Sequence, residues 1–138
     1  MRKSTGSYPS LTVDPTAKRV VSHAGAMLLA ATARNVGLDR DLSTVLRPWM
    51  RPLAVHDPGK ILLDLAISVA IGGDCLTDLA QVRSEPAVFG QVASDPTVSR
   101  LIDTLAADAP SALPAISRAR APFEPGSGRW PVPRPRTT

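Results

Sequence analysis

Ser94-Asp95-Pro96-Thr97-Val98-Ser99-Arg100-Leu101-Ile102-Asp103-Thr104-Leu105-Ala106-Ala107 is the stretch from which the rest of the chain can be read. Asp95 suits an N-cap and Pro96 the first helical position, where a missing N–H costs nothing. Val98, Leu101, Ile102 and Leu105 then recur at i, i+3, i+4 and i+7, and Ser99, Arg100, Asp103 and Thr104 fall on the other face. The spacing predicts an amphipathic helix. Short hydroxyls and an arginine near a helix N-terminus suit a recognition helix, because phosphates favour the positive end of the dipole and Arg reaches base edges. The same pattern also describes an ordinary capped helix of a bundle.

Working outward, the 138 residues and 43% hydrophobic content are enough for one folded domain, and with only 4% aromatics the core should be aliphatic helix packing. The net charge of +4 is unevenly spread. Arg2, Lys3, Lys18 and Arg19 face only Asp14 in residues 1–21, and Arg129, Arg134 and Arg136 face only Glu124 in residues 122–138. A near-neutral middle between basic ends is compatible with nucleic acid, since clustered cations release counterions from phosphates. Cys75 is the sole cysteine, which fits a reducing interior. No apolar signal core follows Arg2-Lys3, and the longest apolar run, residues 61–71, is too short for a bilayer and carries Asp64. The expectation is a soluble, cytoplasmic protein with no membrane partner.

The order of elements is all-α. Residues 1–21 form a basic arm, within which Leu11-Thr12-Val13 and Arg19-Val20-Val21 around Asp14-Pro15 would make a short hairpin. Ser22 caps a helix to about Asn35, with Ala24, Met27, Leu28 and Ala31 inward and Gly37 as its stop. Asp39 caps a short helix with Leu42, Val45 and Leu46, ended by Pro48. Arg47-Pro48-Trp49-Met50-Arg51-Pro52 is a proline-bounded connector whose Trp49 should cover a core edge, and whose arginines are open to phosphate contact. Asp57-Pro58 starts a central helix to Ile71, apolar except for Lys60, Asp64 and Ser68. Those three recur every four residues as one strip facing water or a partner, Lys60 and Asp64 being a surface pair worth about 0.2–0.5 kcal/mol.

Gly72-Gly73 ends that helix, and Asp74 or Thr77 starts another with Leu76, Leu79, Ala80 and Val82. Ala87-Val88-Phe89 makes one turn with Phe89 as a core plug. Pro110 breaks the pattern of the stretch quoted first, and a Pro114-bounded segment to Ala121 could hold a short, weak helix. From Pro122 the composition turns to Pro, Arg and Gly, and residues 122–138 should be a disordered tail. The folded part is thus residues 22–121. No catalytic constellation emerges. The aspartates read as caps and surface charges, His23 and His56 have no second ligand at metal spacing, and Cys75, Ser94 and Ser99 lack a base in any nucleophile motif.

Several separated motifs stand in a telling order: Val21-Ser22-His23-Ala24-Gly25-Ala26, Val55-His56-Asp57-Pro58-Gly59-Lys60, Leu63-Asp64-Leu65-Ala66, Gly72-Gly73-Asp74-Cys75-Leu76, and Phe89-Gly90 running into Val92-Ala93-Ser94-Asp95-Pro96-Thr97-Val98-Ser99-Arg100-Leu101. Over roughly residues 5–121 the chain resembles the N-terminal region of DDE-type insertion-sequence transposases, in particular the actinobacterial branch of insertion-sequence group thirteen-eighty. The resemblance implies a helical domain ahead of an RNase H-like catalytic domain, whose Asp, Asp and Glu bind two metal ions, Mg in the full-length family. In the family the first catalytic Asp lies on a strand beyond this point, so no residue here inherits the triad and no cofactor is expected in this fragment. The switch in composition after Ala121 suggests a frameshift or truncation of a mobile element.

Two functions follow. In the first, the segment from Asp74 to Arg83 and that from Pro96 to Ala107 act as a loose helix-turn-helix on DNA, the terminal inverted repeats of an insertion element, with Thr97, Ser99, Arg100, Thr104, Arg47 and Arg51 as contacts. The connection of about twelve residues is longer than the three to four of a standard turn. In the second, the domain is an interaction module that docks on a catalytic domain or a second copy, as a homo-oligomer or a mixed complex with intact transposase. There the apolar central helix needs outside cover, and changes at Leu63 or Ile67 would disrupt association.

Overall fold

The computed structural model describes residues 24–121, and among them every regular element is helical. The expected hairpin, the Ser22 cap, His23 and the tail from Pro122 lie outside the described residues. Seven α-helices follow one another: α1 (Ala24–Val36), α2 (Leu38–Leu46), α3 (Pro58–Ala70), α4 (Leu79–Arg83), α5 (Pro86–Phe89), α6 (Asp95–Ala107) and α7 (Ala109–Arg120). Single 3-10 turns at Arg47–Trp49 and Leu76–Asp78 extend α2 and lead into α4. The fold is a small all-α bundle, as the periodicity predicts.

α2 and α3 form its centre, and α7, α1 and α4 pack around them. The start of α3 explains the close α2–α3 approach. Asp57 caps the helix, its Oδ1 accepting the Lys60 N–H at 3.1 Å and the Ser43 hydroxyl of α2 at 2.8 Å. Gly59 has no side chain, and a methyl there would collide with the α2 backbone at Leu42 and Ser43. The main core gathers Leu42, Leu63, Ile67, Val82 and Phe89, which is buried as the plug it was expected to be. A second, smaller cluster of Ile61, Leu79, Ala93 and Val98 seats α6.

Several expectations are corrected. The polar strip of α3 faces inward: Lys60 is 3% exposed, Asp64 2% and Ser68 2%, and Lys60 Nζ donates to Asp64 Oδ2 at 2.7 Å. The pair neutralises itself within one turn, which lets a charged strip enter the core. Ala66, Val69 and Ala70 face out instead. The face of the central helix that carries Leu63 and Ile67 is covered by its own chain, inside the core.

On α1 the inner face is Ala26, Ala30 and Ala33 with Met27 beside them, while Ala24 and Leu28 are exposed. Small side chains bring this helix close to its neighbours, so the bulky leucine is not needed inside. The same holds for α7, a full helix running through Pro114, whose buried face is Ala112, Ala115 and Ala119. Its packing on α2 outweighs the local penalty of the proline, itself exposed. Gly37, at φ 83°, both stops α1 and caps α2. Asp39 therefore sits inside the first turn of α2, buried, with its Oδ1 lacking a hydrogen-bond partner and the positive end of the helix dipole as compensation.

Candidate nucleic-acid interface

Helix α6 is held at its start by α4. Arg83 Nη2 donates to the Ala93 carbonyl at 2.8 Å and to Asp95 Oδ1 at 2.9 Å. Asp95 is thus the first helical residue and an ion-pair partner, and Ser94 occupies the cap position, where no side-chain cap bond forms. Ser94 Oγ instead lies 3.0 Å from Thr97 Oγ1. The apolar stripe is narrower than its spacing suggests: Val98 is buried, Leu101 and Leu105 are half-buried, and Ile102 is 40% exposed. The small second core covers one side of this helix, and Arg100, Ile102 and Asp103 stay exposed. Between α4 and α6, residues 84–94 fold as α5 and a turn at Gly90, in place of a short helix-turn-helix turn.

The connector after α2 lies across from α6. Trp49 is half-buried, and its Nε1 donates to Asp108 Oδ2 at 3.0 Å, at the α6–α7 junction. The chain then turns sharply, the Ala54 N–H donating to the Arg51 carbonyl at 3.1 Å with Pro52 and Leu53 between. Pro52 fixes its own φ, as the second position of such a turn requires. A groove of about 490 Å³ opens between this connector, the start of α3 and α6. Trp49, Met50, Val55, Pro58, Ile61 and Leu101 give it apolar walls, and Arg51, Thr97, Arg100 and Thr104 give it polar ones. His56 also lines it, and no carboxylate does.

Four of the six residues singled out from the sequence, Arg51, Thr97, Arg100 and Thr104, therefore meet at one groove although two separate segments supply them. Arg47, on the exposed 3-10 turn, and Ser99, half-buried on α6, are not among its lining residues. Arg100 is exposed and its Nη2 donates to Thr97 Oγ1 at 3.3 Å, while Thr104 Oγ1 donates back to the Arg100 carbonyl at 2.7 Å. The Thr104 hydroxyl is thus tied to its own helix, and the Thr97 hydroxyl oxygen accepts from the guanidinium.

Sequence reasoning missed Leu53, His56 and the Trp49–Asp108 tie. The proline-bounded connector was the available signal for the first, since a turn built on Pro52 must present its next residue at the tip. Burial holds the His56 imidazole below its ordinary 6.5, the Lys60 ammonium adds to that, and Asp64 opposes it.

Four carboxylates of the described residues are engaged in structural contacts. Asp57 caps α3, Asp64 meets Lys60, Asp95 meets Arg83 and Asp108 holds Trp49. Among the described residues, one group offers metal-type ligand atoms close together, Asp74, Cys75 and Asp78, within 4.8 Å of one another. Asp78 Oδ2 there accepts the N–H groups of Asp74 at 2.9 Å and Cys75 at 3.1 Å, with the Cys75 thiol at 3.2 Å. The Asp74 amide first, then the Cys75 thiol and amide, hold the Asp78 carboxyl below its ordinary range. That is the chemistry of a capped turn.

No helix among the described residues is long and apolar enough to cross a membrane. No curated relative and no solved structure matches the chain. The family model described as transposase DDE domain group 1 matches residues 3–121, so the match takes in every helix and both walls of the groove. Over that span the chain belongs to the DDE transposase domain family, group 1.

Proposed function

We propose that the helical domain binds DNA along the groove between the connector and α6 and does not itself carry out strand cleavage. The observation that carries this reading is the meeting of Arg51 with Thr97, Arg100 and Thr104 on a surface without a carboxylate. Two guanidinium groups are the donors that phosphate oxygens and base edges accept from, with the two threonine side chains beside them. Asp57, Asp64, Asp95 and Asp108 are held by a cap, two ion pairs and a hydrogen bond, and no carboxylate lines the groove, which favours binding over metal-assisted chemistry there. The DNA expected in a transposase of this family is the terminal inverted repeat of an insertion element.

The test is a salt-titrated binding assay of the full chain against such a repeat and a scrambled duplex. Arg100→Ala or Arg51→Ala should weaken binding and lower the salt slope by about one each. Arg40→Ala, at a residue that does not line the groove, should leave the slope alone. Equal slopes for all three variants would remove the groove from the interface.

A second reading, self-association or docking on a catalytic domain, is favoured by Leu28 at 69% and Leu29 at 41% exposure on α1. Leu63 and Ile67 cannot probe it, because their loss would open the core. Sedimentation of the full chain at rising concentration checks it directly.

A further inference from the structure

One residue at this groove is unaccounted for by phosphate contacts. Leu53 is 95% exposed, the most exposed large apolar side chain among the described residues. A lone surface leucine needs no explanation in general. This one sits at the tip of a turn closed by the Ala54 N–H to Arg51 carbonyl bond and stiffened by Pro52, beside Arg51, at the mouth of a half-apolar groove. A convex cationic surface would serve a duplex backbone. A concavity with Trp49, Met50 and Val55 in its walls serves something flatter and less polar than a phosphate. Its volume of about 490 Å³ lies within the range of roughly 300–1,000 Å³ typical of small-ligand pockets, room for one nucleotide unit.

We propose that Leu53 is a wedge that enters the base stack of the bound DNA, and that the groove beside it takes the base so displaced. The proposal rests on the DNA-binding reading above. Apolar side chains carried next to arginines unstack base steps in this way, the cations holding the flanking phosphates while the wedge replaces stacking contact. Trp49, fixed by its bond to Asp108, supplies an aromatic wall whose orientation is set before DNA arrives, and base–aromatic contact tolerates any base. Arg51 and Arg100, one on each side of the opening, meet the phosphates on either side of the displaced nucleotide. The lining carries no carboxylate to repel them.

The experiment compares two duplexes that carry 2-aminopurine at the centre of one strand and differ only opposite it, where one has the pairing thymine and the other an abasic position, with the full chain. Wild type should bind the interrupted duplex about tenfold more tightly, because the unpairing has been done in advance, and 2-aminopurine fluorescence should change as the base enters the groove. Leu53→Ser should abolish that preference and the fluorescence change. An unchanged urea midpoint, expected for so exposed a position, certifies that this variant is folded. Equal wild-type binding to both duplexes, with a salt slope that still depends on Arg100, would overturn the wedge and leave the DNA-binding reading standing. Preference persisting in Leu53→Ser would overturn it too. Absence of binding to either duplex would remove both. Free deoxyadenosine monophosphate should not compete at concentrations that match the DNA; effective competition would make the groove a site for a free nucleotide and overturn the wedge.

Discussion

Replacing Lys60 with Met is the sharpest test of how this bundle is held together. The Lys60 ammonium lies 2.7 Å from Asp64 Oδ2 and both residues are almost wholly removed from water. Methionine keeps the length and apolar stem of lysine, so packing changes little and the loss is electrostatic. It leaves the Asp64 carboxylate buried without its cation, a situation that costs about 3–5 kcal/mol in comparable buried pairs. A domain of this size has about 5–15 kcal/mol in all, so the variant should stand near the edge of folding. With a urea slope of about 1.5 kcal/mol per molar, the midpoint should fall by roughly 2–3 M. Removing both charges together, Lys60→Met with Asp64→Leu, should recover most of the loss, because an apolar pair of similar volume is often neutral or better. The assay is urea unfolding followed by far-ultraviolet circular dichroism on the wild type, both single variants and the double. A Lys60→Met midpoint within about 0.5 M of wild type would refute the reasoning, since it would mean that Asp64 is relieved by water or by other donors. A double variant as unstable as the sum of the two singles would refute the coupling.

Other outcomes follow from the same junction. Gly59→Ala should destabilise by about 1–3 kcal/mol in the same urea assay, because the atoms in its way are α2 backbone, which cannot rotate aside as a side chain would. Acidification should weaken the fold in two steps. His56 is held below 6.5 by burial and then by Lys60, so the folded state takes up its proton less readily than the unfolded chain. Its contribution is complete above 6.5 and is lost as the pH falls toward and through the folded-state value. Asp78, held below 3.8 by the Asp74 amide and Cys75, contributes fully above 3.8 and loses that contribution as the pH falls further. Urea midpoints measured across the acid range check both, and a His56→Gln variant should flatten the upper step alone.

What could be read in advance divides along physical lines. Caps and stops are local, and Asp57-Pro58, Gly37 and the glycines after Ile71 are where the spacing puts them because a few adjacent residues decide each. The inward strip of α3 was not legible, since periodicity assigns charges to water unless a partner is known, and here the partner is one turn away on the same strip. α1 and α7 were misjudged for the opposite reason: their buried faces are alanine, which leaves no strong apolar stripe, while the conspicuous Leu28 points outward. At the groove, the residue types were legible and their meeting was not. Arg51 and Arg100 are brought together by the packing of α3, which no local pattern encodes.

The polar contacts at the ends of the connector and at the start of α6 bear on the groove as well as on stability. The connector that carries Arg51 and Leu53 is tied near both ends, by Trp49 to Asp108 on one side and by Asp57 to Ser43 of α2 on the other. The opposite wall is tied by Arg83 to the first residue of α6. In the proposed binding mode, a loop held in this way reaches DNA with its cations and its wedge already placed, so less ordering entropy is lost on binding than a free arm would lose. These contacts join the connector and the start of α6, the two walls between which the proposed contacts lie, to neighbouring elements. Weakening the Asp57–Ser43 bond, as in Ser43→Ala, should therefore reduce DNA affinity through a residue that touches no DNA, in proportion to the loosening of the connector and not to any change in charge.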